Sequence, residues 1–126
     1  MTLPQRAKVE AAPNFLANLD DARHFFTEQD ETSAPARFRQ LRSRLREMVA
    51  MLTWAPASGR PARFLSGHSV QARMRAERVL ALAAQAGLPE LREYVVEQHV
   101  VLYAHSATEV VLLALKHERQ LGYSVS

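Results

Sequence analysis

The stretch LREYVVEQHVVLYAHSATEVVLLALKHERQLGY, Leu91–Tyr123, decides the fold. It holds three runs rich in Val, Leu and Tyr: Leu91–Val96, Val100–Ala104 and Glu109–Lys116. β-branched and aromatic residues at this density favour strands. The connections, Glu97–His99 and His105–Thr108, are too short for a parallel return, which needs a dozen or more residues, so the three strands are expected to run antiparallel. Val110–Leu115 is apolar at every position, which predicts a central strand covered by helices. It stops in Lys116-His117-Glu118-Arg119-Gln120, with Tyr123 close behind. Cationic side chains at the end of an apolar strand sit on the rim of a sheet, where a phosphate or an acidic partner surface can be held.

Upstream, the spacing of apolar residues turns helical. Arg6–Ala12 is a short edge strand stopped by Pro13, which cannot donate to a ladder. Asn14 is placed to cap a helix in which Phe15, Leu19, Ala22 and Phe26 recur at helical spacing up to Gln29. Thr32-Ser33 offers the next cap, with Pro35 in the first turn, and Phe38, Leu41, Leu45, Met48 and Leu52 form a continuous apolar stripe. The two helices are expected to form an antiparallel hairpin, with Trp54 closing the second one in the core. Trp54–Pro61 (WAPASGRP) has the Pro and Gly content of a loop. A third helix is predicted over Ser69–Ala86, where Ala72, Ala76, Val79, Ala83 and Ala86 allow close packing; Gly87 ends it and Pro89 prevents continuation. The expected class is therefore α+β: a short strand and a helical hairpin, an inserted helix, then a small antiparallel sheet, in the order βαα(α)βββ.

The 126 residues, nearly half of them apolar, suffice for one domain with a real core, 1–126, and exclude a disordered chain. The absence of cysteine excludes disulfides and thiolate metal sites. Met1–Gln5 lacks an apolar signal core and no apolar run approaches membrane-spanning length, so a cytoplasmic protein without a membrane partner is expected. The net charge is +3, and 14 of the 16 cations are Arg, the planar group that binds phosphate and carboxylate in bidentate fashion. Asp20–Glu31 is acidic and Arg37–Glu47 basic, as two helices that pair with each other would be; a nucleic-acid stripe is the alternative.

This order of elements, with PNFLANLDDARHFF in the hairpin, Gly59-Arg60-Pro61 in the loop, a Y-x-V-L-Y-like strand at Val100–Tyr103 and a V-x-L-L-x-x-x-H-x-R-like strand at Val111–Arg119, resembles the RelE/ParE superfamily of bacterial toxin–antitoxin toxins. The likeness covers nearly the whole chain; the helix at Ser69–Ala86 departs from the minimal family pattern and looks like an insertion. The resemblance implies the toxin of a type II module, of the kind used in plasmid stabilisation. Such a toxin inhibits growth and is neutralised by a cognate antitoxin. It leaves two targets open, since fold does not settle function: RelE-like members cleave mRNA at the ribosome, while ParE-like members poison DNA gyrase. A non-toxic nucleic-acid-binding or adaptor protein is the reading outside the toxin class.

A metal-independent RNase needs a base, an acid and positive charge at the phosphate. The resemblance implies His117, Tyr123 and Arg119 in those roles, with Arg60, Arg63, Lys116 and Arg119 as phosphate- or partner-binding cations. Nuclease members carry an Arg just before the penultimate strand's V-L-Y, where this chain has Val100. Regular alternation would put Lys116 on the face of Val110, Leu112 and Ala114, and His117 on that of Val111, Leu113 and Leu115. His117, Arg119 and Tyr123 are then expected within reach of one anion or one acidic partner residue. Each has a structural alternative: His117 as a strand-end cap, Lys116 and Arg119 as a solvated rim, Tyr123 as cover for the sheet edge. His105 is a turn residue, His24, His68 and His99 lack ligand spacing, and neither a metal nor a cofactor is implied.

Overall fold

The computed structural model describes residues 6–62, 70–120 and 122–125. Arg63, His68 and Ser69 lie outside them, as does the side chain of Ala72. In chain order the elements are β1 (Lys8–Ala11), α1 (Pro13–Gln29), α2 (Ala34–Trp54), a single 3-10 turn (Pro56–Ser58), β2 (Arg60–Pro61), α3 (Val70–Ala86), β3 (Glu90–Val96), β4 (His99–His105) and β5 (Glu109–His117). Among the described residues the fold is α+β, with three helices and one five-stranded sheet of order β1-β5-β4-β3-β2.

The sheet is mixed rather than wholly antiparallel. β3, β4 and β5 form the expected antiparallel meander, but β1 pairs with β5 in parallel, Lys8 opposite Glu109 and Ala11 opposite Leu112. The long chain between them imposes no antiparallel constraint, so only packing fixes their sense. A second correction concerns Trp54–Pro61: this segment is not all loop, because Arg60 and Pro61 pair with Glu93 and Arg92 as β2. Pro61 is tolerated there because β2 is an edge strand. Tyr103 holds the preceding turn, its hydroxyl donating to Pro56 O (2.7 Å) and accepting from Gly59 N–H (2.9 Å).

The helices cover both faces of the sheet. On one, Phe15 and Phe26 of α1 and Leu41, Leu45, Met48 and Leu52 of α2 pack on Val96, Val101, Tyr103, Val110, Leu112 and Leu115. On the other, Val79, Leu82, Ala83 and Ala86 of α3 pack on Val100, Leu102, Ala104, Leu113 and Ala114, with Tyr123 from the C-terminal tail. The helical stripe Leu41–Leu52 is buried as its spacing predicts. Trp54 is not core: it is 53% exposed, with the Arg6 guanidinium 4.6 Å above its ring. At 100° per residue it lies about 200° around the helix from Leu52, on the solvent side. α3 ends as expected at Gly87, whose φ of +67° suits glycine.

Asn14 does not cap α1. Ala12 occupies the N-cap and Pro13 follows it, which leaves Asn14 in the first turn with its side chain turned inward. There it works with Asn18, one turn on, to complete β5. β1 ends opposite Leu112, so beyond that point the outer edge of β5 has no strand partner among the described residues. Asn14 Nδ2 donates to Leu113 O (3.1 Å), Asn18 Oδ1 accepts from Leu115 N–H (3.0 Å), and both amides donate to Ser124 O (3.1 Å each). Unpaired backbone groups would be costly at this depth. Two asparagines spaced i,i+4 replace the missing ladder and tie down the tail.

The same stretch of β5 carries a bulge. Tyr103 pairs with Leu112 while Leu102 pairs with Ala114, so Leu113 is the extra residue. The side-chain alternation therefore slips. Val110, Leu112 and Leu115 face α1 and α2; Val111, Leu113 and Ala114 face α3. The regular pattern anticipated from sequence breaks at Leu113, and it is the bulge that sets where Lys116 and His117 point.

Candidate functional site

The rim of β4 and β5, the α1 flank and the tail enclose a cleft of about 770 Å³. The β3–β4 turn contributes Gln98, the sheet His99, Leu115, Lys116 and His117, and the chain beyond β5 Arg119, Gln120 and Ser124. From the helices come Asn18, Asp21, Ala22, His24, Phe25, Glu28 and Gln29 of α1 and Arg37 of α2. The bulge at Leu113 brings His117 to this side. Its ring lies edge-on to that of His99, centroids 5.2 Å apart, and His99 in turn packs edge-on to Phe26 at 6.0 Å.

The two histidines differ in burial and in how they are held. His99 is buried, and burial first, then the neighbouring His117, lowers its pKa from 6.5 to about 4, so it is neutral at pH 7. His117 is fixed by the turn that follows it: its backbone N–H donates to Gln120 Oε1 (2.9 Å), and its Nδ1 accepts the Arg119 N–H (3.2 Å). That bond assigns the neutral ring a proton on Nε2, which makes it a hydrogen-bond donor to whatever enters the cleft. A general base acting through Nε2 needs the opposite tautomer, whose Nδ1–H would oppose the Arg119 N–H. His117 is thus set up to donate rather than to abstract a proton.

Other basic side chains on the cleft are partly engaged. Arg37 lies 4.3 Å above the Phe26 ring and donates to Gln29 Oε1 (2.9 Å). Lys116 Nζ donates to Gln120 O (3.3 Å) and sits 5.5 Å from the Tyr123 ring. His24 leans on Asp20, its Nδ1 3.5 Å from Oδ2. The side chains of Arg119, Asp21 and Glu28 make no ion pair or hydrogen bond among the described residues.

Tyr123 is elsewhere. It is buried on the α3 face, where its hydroxyl donates to Glu93 Oε2, and Glu93, 3% exposed, faces Arg60 across the β2–β3 pair with Nε 3.6 Å from Oε1. Burial, then the bond to Glu93 and its charge, hold the Tyr123 pKa far above 10. Of the residues picked out by sequence, then, Lys116, His117 and Arg119 share the cleft, whereas Arg60 and Tyr123 meet at a separate buried network around Glu93. His117, Arg119 and Tyr123 do not group on one anion, because the Tyr123 side chain is buried in the α3-side core with its hydroxyl on Glu93. Val100 is buried on that same α3 face. His105 is no turn residue but the last residue of β4, a buried ring that accepts from Arg92 Nε (3.1 Å) at Nε2, with Nδ1 3.1 Å from Ser106 O.

Sequence reasoning missed Asn18, His99 and Phe25 on the cleft. The i,i+4 repeat of Asn14 and Asn18 on an apolar helix face was the available signal, since an amide there needs buried partners. Compared with known protein families and with characterised proteins, the chain matches none.

Proposed function

We propose that the chain is a growth-inhibiting toxin of a type II toxin–antitoxin module that acts by binding a protein target, as gyrase poisons do, and not by cutting RNA. The class rests on the resemblance of the ordered elements. One observation favours contact over cleavage: the hydroxyl of Tyr123, the implied catalytic aromatic, is spent on Glu93 in the core. An ionisation pushed that far up leaves it no part in proton transfer near neutral pH. Val100, standing where nuclease members carry Arg, has no charge for a phosphate, and the fixed tautomer of His117 makes it a poor base.

Expressed alone in bacteria, the protein should arrest growth, and co-expression with an adjacent antitoxin gene should relieve the arrest. In arrested cells, transcripts should remain intact while cleaved DNA–gyrase complexes and an SOS response accumulate. Transcripts cut at codon positions, with loss of cutting in His117→Ala, would replace this reading by the RelE-like one. Normal growth with folded protein present would remove the toxin class.

A further inference from the structure

The α1 wall of the cleft is a single helical stripe, Asp21, Phe25 and Glu28 at i, i+4 and i+7. It sets an aromatic ring between two carboxylates that lie about 10 Å apart along the axis at 1.5 Å per residue. Phe25 is 46% exposed, and neither carboxylate has a partner among the described residues. Across the cleft, at the strand end, are two cation-bearing or ring donors with no partner among the described residues: the Arg119 guanidinium and Nε2 of His117. Lys116 and Arg37 add positive charge at the margins.

We propose that this cleft binds a free nucleoside monophosphate. The terminal phosphate sits between Arg119 and His117, as charge-assisted hydrogen bonding favours. The base stacks on Phe25, and Asp21 and Glu28 accept hydrogen bonds from ribose hydroxyls and exocyclic amino groups, the donors that nucleotide-binding carboxylates take. The cleft volume lies in the range of small-ligand sites. Competing ligands fit less well. A divalent cation cannot bridge carboxylates two turns apart, and no group of three metal-ligating side chains occurs among the described residues. Inorganic phosphate leaves the ring and the carboxylates without a role, and an acidic peptide meets repulsion from Asp21 and Glu28. The site does not rest on the growth-inhibition reading and stands or falls separately.

Calorimetric titration of the full chain with each of the four ribonucleoside monophosphates tests it. At least one should bind 1:1 and saturably, and at least about tenfold more tightly than its nucleoside or inorganic phosphate. Arg119→Ala and Phe25→Ala, both at exposed positions, should each weaken that binding by about tenfold while leaving far-UV circular dichroism unchanged. Arg42→Ala, on the groove between α1 and α2, should leave binding unaltered. No saturable binding of any of the four would overturn the proposal. So would inorganic phosphate binding as tightly as the nucleotides, or affinity unmoved by both cleft substitutions. Tighter binding of a dinucleotide than of the monophosphate would also overturn it, since the ligand would then be a strand of nucleic acid.

Discussion

Tyr123 and Glu93 share one proton-donating contact in a dry place, and its energetics follow from burial. Removing the hydroxyl leaves a carboxylate that is 3% exposed with one hydrogen bond fewer. Tyr123→Phe should therefore lower stability by about 1–3 kcal/mol, measured by urea unfolding at pH 7. The raised Tyr123 pKa adds a sign. Below pH 10 folded and unfolded chains both keep the phenol proton and the contribution is constant. Above it the unfolded tyrosine ionises first, so stability falls as pH rises, and Tyr123→Phe should lose that alkaline component. His99 works the other way. Its pKa falls from 6.5 to about 4, so between those values the unfolded chain binds a proton that the folded chain refuses. Stability from His99 is complete above pH 6.5 and is lost as pH drops to about 4. His99→Leu should flatten the difference between the unfolding midpoints at pH 7 and pH 4; an unchanged difference would mean that the ring titrates normally.

Among the elements, β5 depends most on side chains from elsewhere. Its N-terminal half pairs with β1 and β4, but from Leu113 onward the outer edge is closed by Asn14 and Asn18. Asn18→Leu keeps the volume and removes the acceptor for Leu115 N–H and one donor to Ser124 O. A loss of about 1–3 kcal/mol is expected for the stranded N–H alone. Amide exchange should localise it: Leu115 should exchange faster in the variant while amides in the middle of α2 slow or quicken only with global stability. Uniform acceleration everywhere would show that the asparagine pair is no local brace. The bulge belongs to this scale as well, since it is a property of the β4–β5 pair that turns His117 to the α1 side and leaves Lys116 beside Tyr123.

Taken as a whole, the molecule is a sheet with a helical layer on each face, and β4, buried along its full length, belongs to both cores. Leu52 is fully buried in the first and Val79 2% exposed in the second. Leu52→Ala should cost about 2–5 kcal/mol, and Val79→Ala less, because fewer methyl groups leave and α3 makes the slighter contact. Both losses should appear in one cooperative transition, with circular dichroism and fluorescence coincident, because unfolding either layer exposes the shared sheet. Separate transitions in Val79→Ala would mean that α3 folds onto the sheet independently.

What the sequence determined by itself was periodicity and punctuation. The stripe Phe38–Leu52 gave α2, the Val-rich runs gave β3, β4 and β5, and Gly87 with Pro89 gave the end of α3; these are local choices, made by propensity and spacing within a dozen residues. It also marked Lys116, His117 and Arg119 as a polar strand end. Tertiary structure decided the rest. β1 chose a parallel partner about a hundred residues away, two asparagines became edge bonds instead of caps, and Trp54 turned outward by its angle around α2. Above all, one extra residue at Leu113 changed which face each later side chain occupies. A period-2 pattern carries no mark of a bulge when every residue involved is apolar, because Leu113 and Ala114 are equally suited to either face. The physical reason is that both faces of the sheet are buried: where each side is core, alternation is free to slip, and only the packing of α1, α3 and the tail fixes the register that sends His117 into the cleft and Tyr123 away from it.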